Sequence, residues 1–317
     1  MKIVSTLELG EKYRNMLAER LPQLPVQHVG ALTELDGEEL AGVEILLTYG
    51  NGMTEEIVRR MTSLRWIHSG QAGIDAMPKQ LLYEMGVAVT NSRGINSITI
   101  AEYVMNMMLN VVRNQAAFYK AYQEKRWDMV TRLDELAGKS LGILGMGMVG
   151  RETAKRAKAF DMLVYGLDRG KVDCEWLDGA FVTAELKEFL AVCDFVVICM
   201  PLTEETYHLF SGEVFDWMKE TAVFMNVGRG PIVKEEDLIV ALRQKKLAGA
   251  ILDVMETEPL PADSPLWTMD NVMITPHIAG DRQASYMPRM MEILCHNLSL
   301  YPDIASMKNP VDLTQGY

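Results

Sequence analysis

Leu141-Gly142-Ile143-Leu144-Gly145-Met146-Gly147-Met148-Val149-Gly150-Arg151 is the stretch whose reading decides the fold. An apolar run, read as a buried strand, enters Gly145-x-Gly147-x-x-Gly150, and an amphipathic helix follows. Gly145 is expected to permit the tight turn. Gly147 is expected to let the backbone approach a pyrophosphate, and Gly150 to allow close packing of helix on strand. The N–H groups at the helix start, those of Met148 and Val149 among them, would hold the anion. Glycine turns after strands are common, so context decides. Here a second strand candidate ends at Asp168, eighteen residues after Gly150. An acidic residue there accepts hydrogen bonds from a ribose diol and repels a 2′-phosphate. NAD is therefore the expected cofactor and NADP the lesser alternative, with Arg169 pulling the other way because an arginine can neutralise that phosphate.

Working outward, short apolar runs alternate with amphipathic stretches from end to end, which is the pattern of α/β proteins with parallel sheets. Beyond the motif the strand candidates are Ser140–Leu144, Leu163–Gly166, Asp194–Cys199, Ala222–Asn226, Gly249–Leu252 and Val272–Ile274. Before it they are Lys2–Ser5, Val26–Val29, Val43–Thr48, Trp66–His68 and Val87–Thr90. Helices are expected near 9–20, 54–61 and 78–84. Thr99-x-x-Glu102 reads as a capping box opening a long helix through Val112. That helix is apolar on most sides and is expected between two bodies. A last helix is expected at 282–300.

The 317 residues suit two domains better than one core. A net charge of −12, without a long like-charge run, disfavours nucleic acid and anionic membranes as partners. No run approaches the roughly 18–20 apolar residues of a membrane span. The first residues enter a core strand without the apolar region of a signal peptide. Cys174, Cys193, Cys199 and Cys295 show neither CxxC nor zinc spacing. Reduced thiols and a cytoplasmic location are expected, with no bound metal. The 23 methionines read as adaptable core filler.

Three further segments each end a strand candidate, where ligands gather in open α/β sheets. They are Asn226-Val227-Gly228-Arg229-Gly230, Leu252-Asp253-Val254-Met255-Glu256-Thr257-Glu258-Pro259 and Ile274-Thr275-Pro276-His277-Ile278-Ala279-Gly280. Arginine suits binding of a substrate carboxylate and polarising a carbonyl. Histidine suits proton transfer near neutrality. A carboxylate beside that histidine would orient the ring and raise its pKa.

Together these segments, with Ala72-Gly73-Ile74-Asp75, Thr90-Asn91-Ser92-Arg93-Gly94, Ile100-Ala101-Glu102 and Pro201-Leu202-Thr203 with Thr206, resemble the D-isomer-specific 2-hydroxyacid dehydrogenase family over nearly the whole chain. The resemblance implies an α/β architecture in which a Rossmann-type doubly wound parallel-sheet cofactor domain, 99–285, is inserted in a flavodoxin-like substrate domain, 1–98 plus 286–317. It implies a hydride transfer between NAD(H) and a small 2-keto or D-2-hydroxy acid, such as glyoxylate or hydroxypyruvate. Arg229 would bind the substrate, His277 act as acid–base and Glu258, which directly precedes Pro259, as its partner. Ala72 and Gly73 would offer backbone N–H groups to the substrate carboxylate. Asp253 would face the nicotinamide carboxamide, with Met200, Pro201, Thr206 and Gly280 also lining the cofactor. A homodimer is implied, with the long helix after residue 97 as a candidate interface.

Two departures stand out. Met148 fills a position where many relatives carry a polar or basic residue; since backbone groups do most of the phosphate binding, little loss is expected. Phosphoglycerate-specific members carry arginines where this chain has Thr48-Tyr49-Gly50-Asn51-Gly52, and an end at Tyr317 leaves no room for the regulatory domain some of them append. Phosphoglycerate dehydrogenase is therefore the lesser expectation. So is a dinucleotide-sensing scaffold like the C-terminal-binding-protein corepressors, because no long tail offers a docking segment. Formate is disfavoured as a substrate, since its oxidation needs no proton shuttle at a hydroxyl.

Overall fold

The computed structural model describes residues 1–129, 131–280 and 284–314. The chain divides into two compact units, Met1–Ile95 with Gln283–Tyr317, and Asn96–Arg282.

The first unit runs β1 (Lys2–Ser5), α1 (Glu11–Arg20), β2 (Val26–His28), α2 (Gly37–Ala41), β3 (Val43–Thr48), α3 (Glu55–Arg60), β4 (Trp66–Ser69), α4 (Lys79–Glu84) and β5 (Ala88–Asn91). Its five strands are all parallel, in the order β2-β1-β3-β4-β5. That is the flavodoxin-like order. Successive strand residues point to opposite faces. Ile3, Ile45, Leu47 and Trp66 meet Leu17 of α1 and Met290, Leu294 and Leu298 of the returning helix, Tyr286–Leu300. Val4, Leu46, Ile67 and Val89 meet Leu40, Val58 and Leu81 of α2 to α4. Both faces are covered, so these strands read as unbroken apolar runs rather than alternating ones.

The second unit opens with α5 (Ser97–Val112) and α6 (Gln115–Gln123). It continues through β6 (Ser140–Leu144), α7 (Met148–Lys158), β7 (Leu163–Asp168), β8 (Gly179–Val182), α8 (Leu186–Val192), β9 (Phe195–Ile198), β10 (Val223–Asn226), α9 (Glu235–Arg243), β11 (Gly249–Leu252) and β12 (Val272–Ile274). Its sheet is parallel throughout, ordered β12-β11-β10-β9-β6-β7-β8. The chain first builds outward from β6 and then crosses back to β9, so the order reverses between those two strands. A crevice at the carboxyl ends of the strands belongs at such a switch point. This is the doubly wound sheet expected from the glycine motif. α5 and α7 cover one face, through Val104, Met108, Ala154 and Ala157; α8 and α9 cover the other, through Phe189, Leu190 and Leu238.

Several details differ from the sequence expectations. α5 begins at Ser97 with Asn96 as N-cap and no side-chain cap bond, so Thr99 lies inside the first turn and the Thr99–Glu102 capping box does not form. Ser97 is 6% exposed, which places the helix start in the core two residues before the expected cap. β8 and α6 are additions to the expected elements. β8 is a partly buried edge strand with neither a continuous apolar run nor a clean alternation. The expected start of the last helix at 282 lies outside the described residues, as do 315–317 of the returning segment. Among the described residues, no helix is long and apolar enough to cross a membrane, and no group of three or more His, Cys, Asp or Glu side chains is placed to hold a metal ion.

Candidate functional site

The glycine turn divides its labour among three residues. Gly145 has φ +93°, and a Cβ there would fall 2.9 Å from the backbone N and Cα of Met200. A Cβ on Gly150 would lie 2.2 Å from the Gly145 carbonyl oxygen, so only glycine lets α7 start this close to β6. Gly147 is different: its φ is −71° and a Cβ would meet nothing within 4 Å. Neither sterics nor backbone strain demands glycine there, and the open face beside it is where a bulky group can approach the main chain. Gly147 caps α7 without a side-chain bond. The first N–H groups of the helix are thus left for an external anion. Met148 is 50% exposed at the head of α7 and Val149 half-buried beside it. Asp168, at the end of β7, accepts from the Met146 N–H at 2.8 Å and the Arg169 N–H at 2.7 Å. A carboxylate has about four acceptor positions, which leaves capacity for a diol. The cradle therefore fits a dinucleotide, which Gly147, the α7 start and Asp168 could hold.

Two neighbouring loops pack onto this turn. Met200 follows β9 and is sandwiched: its N and Cα press on Gly145, and its carbonyl oxygen would lie 2.8 Å from a Cβ on Gly228. Pro201 is held by Thr206, whose hydroxyl donates to the Pro201 carbonyl at 2.8 Å and accepts from the Thr203 N–H at 2.8 Å. At the end of β10, Asn226 is 1% exposed. Its amide oxygen accepts from the Gly228 N–H and its amide nitrogen donates to the Arg229 carbonyl, each at 3.0 Å. One buried amide thus sets the turn that presents Arg229, whose guanidinium donates to the Gly228 carbonyl at 2.9 Å. A Cβ on Gly230 would collide with the Met255 carbonyl, so this turn lies tight against the segment after β11.

That segment and the one after β12 carry the titratable pair. His277 Nδ1 lies 2.9 Å from Glu258 Oε2, with both side chains partly exposed. A carboxylate only accepts, so Nδ1 donates, the ring orientation is set and Nε2 is left outward. Glu258 is itself held by the Met255 N–H, which donates to Oε1 at 3.0 Å. Glu256 is turned elsewhere: it bonds His208 Nε2 at 2.6 Å and accepts from the Glu235 N–H at 2.9 Å.

Asp253 is 3% exposed and its carboxylate turns into the histidine loop. It accepts from the Thr275 hydroxyl, the Ile278 N–H at 3.0 Å and the Ala279 N–H at 2.9 Å. Its backbone carbonyl accepts from the His277 N–H at 2.8 Å. The sequence expectation turns Asp253 toward the nicotinamide carboxamide; its contacts in the structure are those that shape the loop around His277. Gly280 closes that loop against α5, where a Cβ would lie 3.1 Å from Asn96 and Ile100. Asn226 and Thr275 have roles that the sequence does not signal, since neither residue type announces a positioning part.

Ala72 and Gly73 belong to the first unit. Their loop follows β4 and is tied to the end of β5: the Asn91 amide donates to the Ala72 carbonyl at 2.7 Å, and the Ser92 N–H to the Gln71 carbonyl at 3.1 Å. Ala72 is exposed and Gly73 half-buried.

Comparison with known proteins follows the same lines. Residues 105–279 match the family model described as D-isomer specific 2-hydroxyacid dehydrogenase, NAD binding domain. The chain is similar to a glyoxylate reductase of Thermofilum pendens, 35% identical over 250 residues that span 77% of this chain and 73% of the relative. It is 33% identical over 285 residues to a D-3-phosphoglycerate dehydrogenase of Methanocaldococcus jannaschii, spanning 87% of this chain but 53% of that longer protein. Among solved structures, a D-isomer specific 2-hydroxyacid dehydrogenase from Xanthobacter autotrophicus Py2 in complex with NADPH and MES superposes with a TM-score of 0.84. It is 31% identical, and the match covers 100% of this chain and 99% of that one.

Proposed function

The chain belongs to the D-isomer specific 2-hydroxyacid dehydrogenase family, and from that premise we propose that it moves a hydride between NAD(H) and C2 of a small, unphosphorylated 2-keto or D-2-hydroxy acid of the glyoxylate or hydroxypyruvate kind. The observation that carries this reading is the His277–Glu258 pair at 2.9 Å, borne on loops that leave the carboxyl ends of the same sheet as the glycine cradle.

The dinucleotide supplies the hydride when bound; the rest falls to the chain. Arg229, held out by the Asn226 turn, grips the acid's carboxylate and draws electron density toward its carbonyl oxygen. His277, with Nδ1 engaged by Glu258, delivers a proton from Nε2 to that oxygen in reduction and takes it back in oxidation. Asp168 favours NADH over NADPH by repelling a 2′-phosphate. A similar structure holds NADPH, so the two cofactors are compared directly in the test below.

The preference for unphosphorylated acids rests on charge. A phosphate brings close to two further negative charges, normally met by arginine or lysine. Thr48-Tyr49-Gly50-Asn51-Gly52 carries neither, and the chain's charge of −12 adds repulsion. Two further elements belong to the proposal. Tyr122, Trp127 and Met129 on and after α6 are 78%, 90% and 83% exposed, an apolar surface that supports pairing of two copies. Four free thiols support a cytoplasmic setting.

The test is kcat/KM for glyoxylate, hydroxypyruvate, pyruvate and 3-phosphohydroxypyruvate with NADH and NADPH at matched ionic strength. The unphosphorylated acids with NADH are expected to lead. A clear preference for the phosphorylated acid would overturn the substrate assignment, and an equal or higher value with NADPH would overturn the cofactor assignment.

A further inference from the structure

His277 has φ +54°, a region that side-chain-bearing residues visit only when their surroundings hold them there. What holds it is Asp253, through three backbone N–H groups: those of Ile278 and Ala279 on the carboxylate and that of His277 on the carbonyl. Asp253 is in turn reached from α5. The Tyr103 hydroxyl lies 2.7 Å from Thr275 Oγ1, and Thr275 Oγ1 bonds Asp253 Oδ1.

The direction of this chain of bonds is fixed by proton count. An ionised carboxylate has no proton to give, so Thr275 donates to Asp253. Thr275 has a single hydroxyl proton, and it is then spent. Tyr103 must therefore donate to Thr275. The sequence Tyr103 O–H to Thr275 O–H to Asp253 runs one way, and each bond polarises the next. Burial, opposed by the Thr275 bond and reinforced by the charge on Asp253, pushes the Tyr103 phenol up to about 12, so the donor persists across any ordinary assay pH.

We infer that Tyr103 is a positioning residue for His277, acting through Thr275 and Asp253 to fix the loop that aims Nε2 at the substrate. This role rests on the reading of His277 as the proton carrier. Removing the phenol leaves Thr275 Oγ1 without its donor and frees the hydroxyl to turn away from Asp253. The loop then loses its hold on the left-handed residue at its centre. The hydrogen bonds of this chain run to the His277 loop and not to the glycine turn or Asp168, so NADH binding is expected to change far less than turnover.

A double-mutant cycle tests it. Tyr103→Phe is expected to lower kcat for hydroxypyruvate reduction by roughly ten- to a hundredfold, the scale of a catalytic group misplaced by an ångström. The dissociation constant for NADH, read by fluorescence titration, should stay within about twofold, a change under half a kcal/mol. In a His277→Ala background the same substitution should cost nothing further, because the group it aims is gone. Thr275→Val should reproduce the loss and Thr275→Ser should recover most of it; this pair decides the matter if Tyr103→Phe fails to fold. Wild-type kcat in Tyr103→Phe, or an equal loss with and without His277, overturns the inference while leaving the functional reading intact. Full activity in His277→Ala overturns both.

Discussion

His277 and Glu258 make a pair whose geometry depends on main-chain bonds as much as on the two side chains. Met255 holds Glu258, and Asp253 holds His277. His277→Ala is expected to lower kcat for keto-acid reduction by ~10²–10⁴-fold, with NADH affinity nearly unchanged, read from steady-state rates and a binding titration. A kcat equal to wild type would remove the ring from the chemistry. At this scale the sequence is legible where a residue's type suits the chemistry proposed for it, as with an arginine, a histidine and a glutamate at three strand ends, of which the structure pairs the last two at 2.9 Å. It is illegible where a role depends on which way a side chain turns. Asp253 reads as an acid facing the nicotinamide, and its type does not announce that its carboxylate also accepts from the Ile278 and Ala279 N–H groups. Tyr103 meets Thr275 across 172 positions of sequence, and nothing local to either residue announces the pair.

The glycine cradle separates two functions that a motif written as G-x-G-x-x-G runs together. Gly150→Ala must push a Cβ against the Gly145 carbonyl, and overpacking of this kind costs ~1–3 kcal/mol of stability. Gly147→Ala meets no atom of the protein, so its melting temperature should fall only slightly, while NADH binding weakens by about tenfold or more, or about 1.4 kcal/mol. Thermal melts and NADH titrations of the two variants check the division. Equal destabilisation in both would show that the middle glycine is structural. The central strands are readable because a sheet covered on both faces demands unbroken apolar runs. β8 is not, since an edge strand that is only partly buried carries a weak pattern. The start of α5 is misleading in sequence because a threonine and a glutamate at capping spacing lie too late, past a Ser97 that is already buried.

The whole chain repeats one architectural idea, a covered parallel sheet, in two strand orders. In the first unit the strand ends are lined with buried polar groups, Ser5, Thr48, Ser69 and Asn91. Beside them, His68 bonds Thr90 and Ser92. Burial lowers the His68 pKa from 6.5 to about 3. Its folded pKa thus lies below its unfolded one, so the unfolded chain binds the proton first as the solution is acidified. The contribution of His68 to stability is fully present above pH 6.5 and is lost progressively as pH falls from there toward about 3. Melting temperatures of wild type and His68→Gln across that interval should converge as the pH drops. Parallel curves would show that the ring is not the acid-sensitive group.

Everything proposed for the site depends on where the hydride goes. Hydroxypyruvate reduced with NADH deuterated at the transferable ring position, and analysed by mass and chirality, measures that directly. The predicted product is the D-hydroxy acid bearing one deuterium at C2. No reduction, an L product, or a product without deuterium would contradict it.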